Sequence, residues 1–87
     1  MASVWVPSLM RDLTGGQEQV RGSGRTVGQV IESLDGPYPG FKHRLCEGGQ
    51  LDPAYMVAVD GRIGPLGLRE RVREESEIRF LPAVAGG

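Results

Sequence analysis

The stretch TVGQVIESLDGP, Thr26 to Pro37, is marked as a helix at both ends and along one side. Thr26 and Gln29 form a capping box: the threonine hydroxyl is placed for the amide three residues on, and the glutamine can reach back. Val27, Val30, Ile31 and Leu34 recur at i, i+3, i+4 and i+7 and share one face, while Gln29, Glu32 and Ser33 take the other. Gly36 accepts a left-handed C-cap, and Pro37 cannot continue the ladder. A single helix with one apolar stripe needs a sheet to lie on, and that requirement organises the rest of the chain.

The flanking sequence supplies the strands. Ser3-Val4-Trp5-Val6 is a β-branched and aromatic run closed by Pro7, and Gln17 to Arg21 is a more polar second run. Between them PSLMRDLTGG offers a turn or one loose helical turn ended by Gly15-Gly16, so the two runs read as a hairpin with a wide loop. Tyr55 to Val59 is strand-like and leads into the tight-turn pair Asp60-Gly61. Glu77 to Leu81 is the last strand, with Ile78 and Phe80 on one face and Arg79 and Leu81 on the other. Tyr38 to Pro53 reads as irregular, with Phe41 and Leu45 as core plugs on a short turn and Gly48-Gly49 as a flexible point, and LGLRERVREESE reads as charged and turn-like. The order strand, strand, helix, irregular segment, strand, strand is that of an α+β chain with a β-grasp fold, a mixed sheet packed on one main helix. The first and last strands are then expected side by side in the middle of the sheet. Residues 1–82 form the domain and 83–87 a flexible tail.

Several functions are excluded or left without support. With 87 residues the chain makes one domain, and a formal charge of -1 gives no basic excess for nucleic acid. No apolar run approaches the roughly 18 residues of a membrane span, and no basic leader precedes the first strand, so the expected location is cytoplasmic and off the membrane. Cys46 is the only cysteine, which rules out an internal disulfide and a cysteine metal cluster. It reads as a half-buried small apolar residue or, alternatively, as a reactive thiol. His43, the only histidine, reads as a partly exposed residue beside Lys42 and Arg44 rather than a ligand. Gly22, Gly24 and Gly28 miss the dinucleotide fingerprint by one position, no P-loop is present, and Ser33 and Ser76 have no predicted base beside them. Arg69, Arg71 and Arg73, interleaved with Glu70, Glu74, Glu75 and Glu77, form either a solvated surface or a docking patch. Trp5 and Leu81 project from the sheet face opposite the helix. They are either an exposed partner-binding patch or a second small core capped by the charged segment.

The chain closes on FLPAVAGG, an apolar run followed by Gly86 and Gly87. Together with the β-grasp order, this tail resembles that of the ubiquitin-like sulfur carrier proteins of the MoaD/ThiS type, a family that includes the molybdopterin synthase small subunit and the thiamine thiazole carrier. LTGGQ at Leu13 to Gln17, the helix TVGQVIESL and the strand and turn VAVDG at Val57 to Gly61 are similar to the cysteine-biosynthesis subgroup of that family.

The resemblance implies a carrier rather than an enzyme. An E1-like activating enzyme would adenylate the Gly87 carboxylate with ATP and magnesium, and a sulfur donor would convert it to a thiocarboxylate. The sulfur would then pass to a biosynthetic enzyme, a pyridoxal-phosphate cysteine synthase in the cysteine branch. The chain itself would bind no cofactor and no metal. Leu81, Pro82, Ala83, Val84 and Ala85, with Trp5, would face the partner, and five residues beyond Pro82 extend roughly 16 to 18 Å. Gly86 and Gly87 carry no Cβ to obstruct a narrow channel. A chain ending at Gly87 would need no protease to expose its carboxylate. The molybdopterin and thiazole pathways, a ubiquitin-like modifier that forms isopeptide bonds, and a plain β-grasp binding module are the alternatives.

Overall fold

In the computed structural model, which describes residues 1–83, Val4 of the first strand and Ile78 of the last stand opposite each other, both fully buried. The elements are β1 (Ala2–Trp5), β2 (Gln19–Gly22), α1 (Val27–Asp35), α2 (Phe41–Leu45), β3 (Cys46–Glu47), β4 (Gln50–Leu51), β5 (Tyr55–Val59), β6 (Arg62–Ile63) and β7 (Glu77–Pro82). The main sheet runs β2-β1-β7-β5-β6, with β1 and β7 parallel and every other pairing antiparallel. This is the mixed β-grasp sheet that the sequence predicts, with the terminal strands adjacent at its centre.

The core fills the space between one face of this sheet and α1. Val4, Val20, Val57, Ile78 and Phe80 point inward to meet Val27, Val30, Ile31 and Leu34, and all nine are buried. Burying a side chain of this size contributes about 1.5–3 kcal/mol relative to leaving it in water. The close approach of α1 to β2 depends on Gly22, where a Cβ would stand 2.9 Å from both Val30 Cγ1 and Ser33 Oγ.

The helix starts as its sequence dictates. The Gln29 amide donates to Thr26 Oγ1 at 3.2 Å, and Gln29 Oε1 accepts in return from the Arg25 amide at 2.8 Å. The charged segment then straps the helix start, since the Val27 amide donates to the Glu70 carbonyl at 3.0 Å and the Val72 amide to the Arg25 carbonyl at 2.9 Å.

The structure corrects three expectations. Gly36 is right-handed (φ -67°), not a left-handed cap; the backbone turns further on, at Gly40, where φ is 95°. The Tyr38 amide meanwhile still donates to the Leu34 carbonyl at 3.0 Å. The segment from Tyr38 to Pro53 is ordered rather than irregular. It comprises α2 and the small hairpin β3–β4, which turns at Gly48-Gly49, and it seats Phe41 and Leu45 at 0% exposure. Finally, β6 adds a fifth strand that the sequence reading lacks. Asp60 (φ 52°) and Gly61 (φ 81°) form the two-residue turn before it, in the geometry that matches strand twist. The Asp60 carboxylate accepts from the Glu77 amide at 2.9 Å and from Ser76 Oγ at 2.8 Å, and these bonds hold its pKa below the usual carboxylate range.

Candidate functional site

The candidate site is the carboxyl end of β7 and the sheet face beside it. β7 is gripped from both sides, by β1 through Trp5 opposite Arg79 and by β5 through Tyr55 opposite Pro82. The Ala83 amide extends this pairing by donating to the Ala54 carbonyl at 2.8 Å. The chain therefore leaves the body from the middle of the sheet at a fixed point. Val84, Ala85, Gly86 and Gly87 lie outside the described residues.

The face of the sheet away from α1 carries one continuous cross-strand row, Gln19, Trp5, Arg79, Ala58 and Ile63, contributed by all five strands. The next row toward the tail pairs Leu81 with Met56. Ile63 is 55% exposed and Met56 37%, while Leu81 and Trp5 are half-buried. The Arg79 guanidinium carbon lies 4.3 Å from the centre of the Trp5 ring, a cation–π contact that shields the indole. Trp5 Nε1 is buried and has no hydrogen-bond partner among the described residues.

The structure thus brings Trp5, Leu81, Pro82 and Ala83 to one end of the molecule. The second-core alternative for Trp5 and Leu81 is overturned in its detail. The charged segment packs on the helix side, where Val72 joins the main core, and Arg79 is what covers Trp5. Met56 and Ile63 extend the apolar surface and were not singled out from the sequence. Alternation along Tyr55 to Val59 places Met56 opposite in direction to Val57, but only the strand register puts it beside Leu81.

The remaining candidates have structural roles. Ser33 Oγ donates to the Val30 carbonyl at 2.7 Å and accepts from the Ser23 amide at 3.0 Å, and Ser76 Oγ accepts from the Arg73 amide and donates to Asp60. At Gly28 a Cβ would press to 3.2 Å against the Leu68 carbonyl oxygen, so that glycine, like Gly22, serves helix packing. His43 is exposed, and no group of three or more metal-ligating side chains occurs among the described residues. Cys46 is half-buried on the wall of a cavity of about 340 Å³ shared with Asp35, Lys42 and His43. Burial pushes its thiol pKa up, against the pull of the nearby Lys42 ammonium, which disfavours the thiolate that a reactive cysteine needs. If the chain end takes up sulfur as the family resemblance implies, Cys46→Ser is expected to accept it at close to the wild-type rate. Complete loss of charging in a folded variant, followed by mass spectrometry, would make the thiol a relay.

No helix among the described residues is long and apolar enough to cross a membrane. A model of the ThiS family matches residues 4–87. The sulfur carrier protein CysO of Mycobacterium tuberculosis is 36% identical over an alignment of 96 positions that covers 98% of this chain and 97% of that protein. The small archaeal modifier protein 3 of Haloferax volcanii is 34% identical over 64 residues, 71% of this chain and 70% of its own. Among solved structures, the Amycolatopsis orientalis BexX/CysO complex contains a chain that superposes with a TM-score of 0.90 at 31% identity, with 100% of both chains covered. The match to the family begins in β1 and continues through the glycine pair, and on that basis this chain belongs to the ThiS family.

Proposed function

We propose that the chain is a sulfur carrier whose Gly87 carboxylate is adenylated by a partner enzyme and then converted to a thiocarboxylate. The observation that carries this reading is the grip on β7. Pairing continues to the Ala83 amide, and four residues, Val84 to Gly87, follow in the sequence. Four extended residues reach about 14 Å, enough to enter a partner's buried site while the body docks outside. A carboxylate is a poor electrophile. Its attack on the α-phosphate of ATP, held with magnesium by the partner, releases pyrophosphate and gives an acyl adenylate. Sulfide then attacks the acyl carbon, AMP leaves, and the resulting thiocarboxylate is a stronger nucleophile than the carboxylate it replaces. In this scheme the chain is substrate and sulfur donor, and catalysis belongs to its partners. The final acceptor is a biosynthetic enzyme, a pyridoxal-phosphate cysteine synthase if the product is cysteine, with the molybdopterin and thiazole pathways as alternative destinations. Its near-full-length likeness to curated sulfur carriers supports the reading.

The test is incubation of the purified chain with an adenylating enzyme, ATP and sulfide. A carrier gains the mass of sulfur in place of oxygen. The likeness to a small archaeal modifier protein favours a second reading, attachment of the activated tail to lysines, and that reading yields adducts of higher mass instead. No reaction at all would leave only a β-grasp binding module.

The docking surface is proposed to be the sheet face with Trp5, Met56 and Leu81, continuing into Pro82, Ala83 and the tail. Truncating an interface anchor commonly costs about 1–2 kcal/mol or more. Leu81→Ala is therefore expected to weaken binding of the activating enzyme about tenfold with little change in thermal stability. Trp5→Ala should weaken binding as much, and should also forfeit the roughly 0.5–1 kcal/mol of its contact with Arg79. Parallel losses of stability and binding in Leu81→Ala would mark it as core and refute the docking role.

A further inference from the structure

At the end of the sheet remote from Ala83, a groove of about 830 Å³ runs between the β5–β6 hairpin and residues 70–76. Its walls carry three guanidinium groups, Arg62, Arg71 and Arg73, and two carboxylates, Asp60 and Glu70. Arg71 and Arg73 are exposed on either side of buried Val72, whose amide is tied to the Arg25 carbonyl at 2.9 Å. Ser76 Oγ also accepts from the Arg73 amide at 2.8 Å.

The acidic residues Glu74, Glu75 and Glu77 of the charged run are engaged outside the groove. Glu74 pairs with the Met1 amino group at 3.0 Å, Glu75 with Arg21 at 3.4 Å and Glu77 with Arg79 at 3.6 Å, so the acidic residues of the run turn away from the groove. The two carboxylates that remain are engaged with the chain itself. Asp60 accepts from Glu77 and Ser76, while Glu70 accepts from the Leu66 amide at 2.8 Å and lies where a Cβ at Gly64 would stand. Among the described residues, every arginine side-chain hydrogen bond or ion pair belongs to Arg11, Arg21, Arg44 or Arg79. The guanidinium groups of Arg62, Arg71 and Arg73 are thus the open polar groups of the groove, each able to take a carboxylate in a two-pronged hydrogen bond.

We propose that this groove binds an acidic peptide segment of a protein partner. The chain has a net charge of -1, so the patch is a local segregation of charge and not a general basic surface. The fixed carboxylates of Asp60 and Glu70 repel a continuous run of phosphates, whereas side-chain carboxylates spaced along a peptide can sit between them. The groove and Ala83 lie at opposite ends of β7, whose six residues span about 20 Å. A partner holding both ends fixes the direction in which the tail points. The proposal stands on the groove alone and does not depend on the sulfur chemistry.

The test uses the full chain and a fluorescein-labelled dodecapeptide of alternating Glu and Ser, with anisotropy measured at low and at physiological salt. Binding is expected to weaken with salt. It is expected to fall at least about tenfold in the triple variant Arg62→Gln, Arg71→Gln, Arg73→Gln, and to stay within about twofold in the control Arg21→Gln, Lys42→Gln, Arg44→Gln, which removes the same charge elsewhere. Amide shifts in the wild-type protein should be confined to residues 59–65 and 70–76, a readout that holds even if a variant folds poorly. Equal losses in the two triple variants, shifts centred elsewhere, no preference over a Gln/Ser peptide, or tighter binding of an RNA oligonucleotide of equal length would each overturn the proposal.

Discussion

Deletion of Gly87 is expected to leave the melting transition unchanged and to abolish both adenylation and the gain of sulfur. Stability is indifferent because Gly87 lies four residues beyond the Ala83 amide, the last described contact of the ladder, and surface changes of this kind stay within a few tenths of a kcal/mol. In the proposed carrier chemistry the reaction is not indifferent, because the shortened chain would hold its carboxylate one residue, about 3.5 Å, short of the α-phosphate. Displacements of even 1 Å can cost on the order of 10²-fold in rate. The measurement is intact-protein mass spectrometry after incubation with the chain's own activating enzyme, beside a thermal melt. Charging of the truncated protein at near wild-type rate would remove the carrier assignment from this tail.

The second large effect concerns folding. Phe41 has no solvent exposure, and its ring sits 6.4 Å from that of Tyr38, tilted at 44°. It is the plug by which α2 enters the core beside Leu45. Phe41→Ala should cost about 3–5 kcal/mol, a large part of the roughly 5–15 kcal/mol that holds a small domain together. For a chain of this size it should lower Tm by at least about 12 °C. Leu9→Ala is the matched control, because Leu9 is 82% exposed on the loop between β1 and β2 and should change stability by less than about 0.5 kcal/mol. A loss below about 1 kcal/mol for Phe41→Ala in urea or thermal unfolding would mean that the segment after α1 is an ornament on the fold and not part of it.

That segment also marks where reading the sequence stops working. The main helix was legible because its information is local: Thr26, Gln29 and the four apolar positions act within three turns of one another. The turn at Asp60-Gly61 was legible for the same reason. By contrast α2 has five residues, too few for a periodic pattern, and β3, β4 and β6 have two each, too few for alternation. These elements exist because tertiary contacts hold them. Gly36 and Gly40 show the same limit: a glycine at either position could take the left-handed conformation, and only the folded chain shows that Gly40 does. At the candidate site, the faces of Trp5 and Leu81 followed from alternation. Their neighbours Arg79 and Met56 required the register of β1 and β5 on β7. The tail was legible as composition alone, by its two glycines.

The parallel pairing of β1 with β7 joins Ser3 to Glu77 across almost the whole length of the chain. Such distant partners slow folding, because the entropy of closing the intervening loop precedes the reward of the contact. During synthesis β7 is also the last of the described strands to leave the ribosome, so until then the sheet lacks its middle strand and β1 and β5 have nothing between them. Presentation of the tail and completion of the fold are therefore one event. A nascent or truncated chain has no ordered platform from which its end could be offered, so in the carrier reading proposed above an adenylating partner would meet only finished molecules.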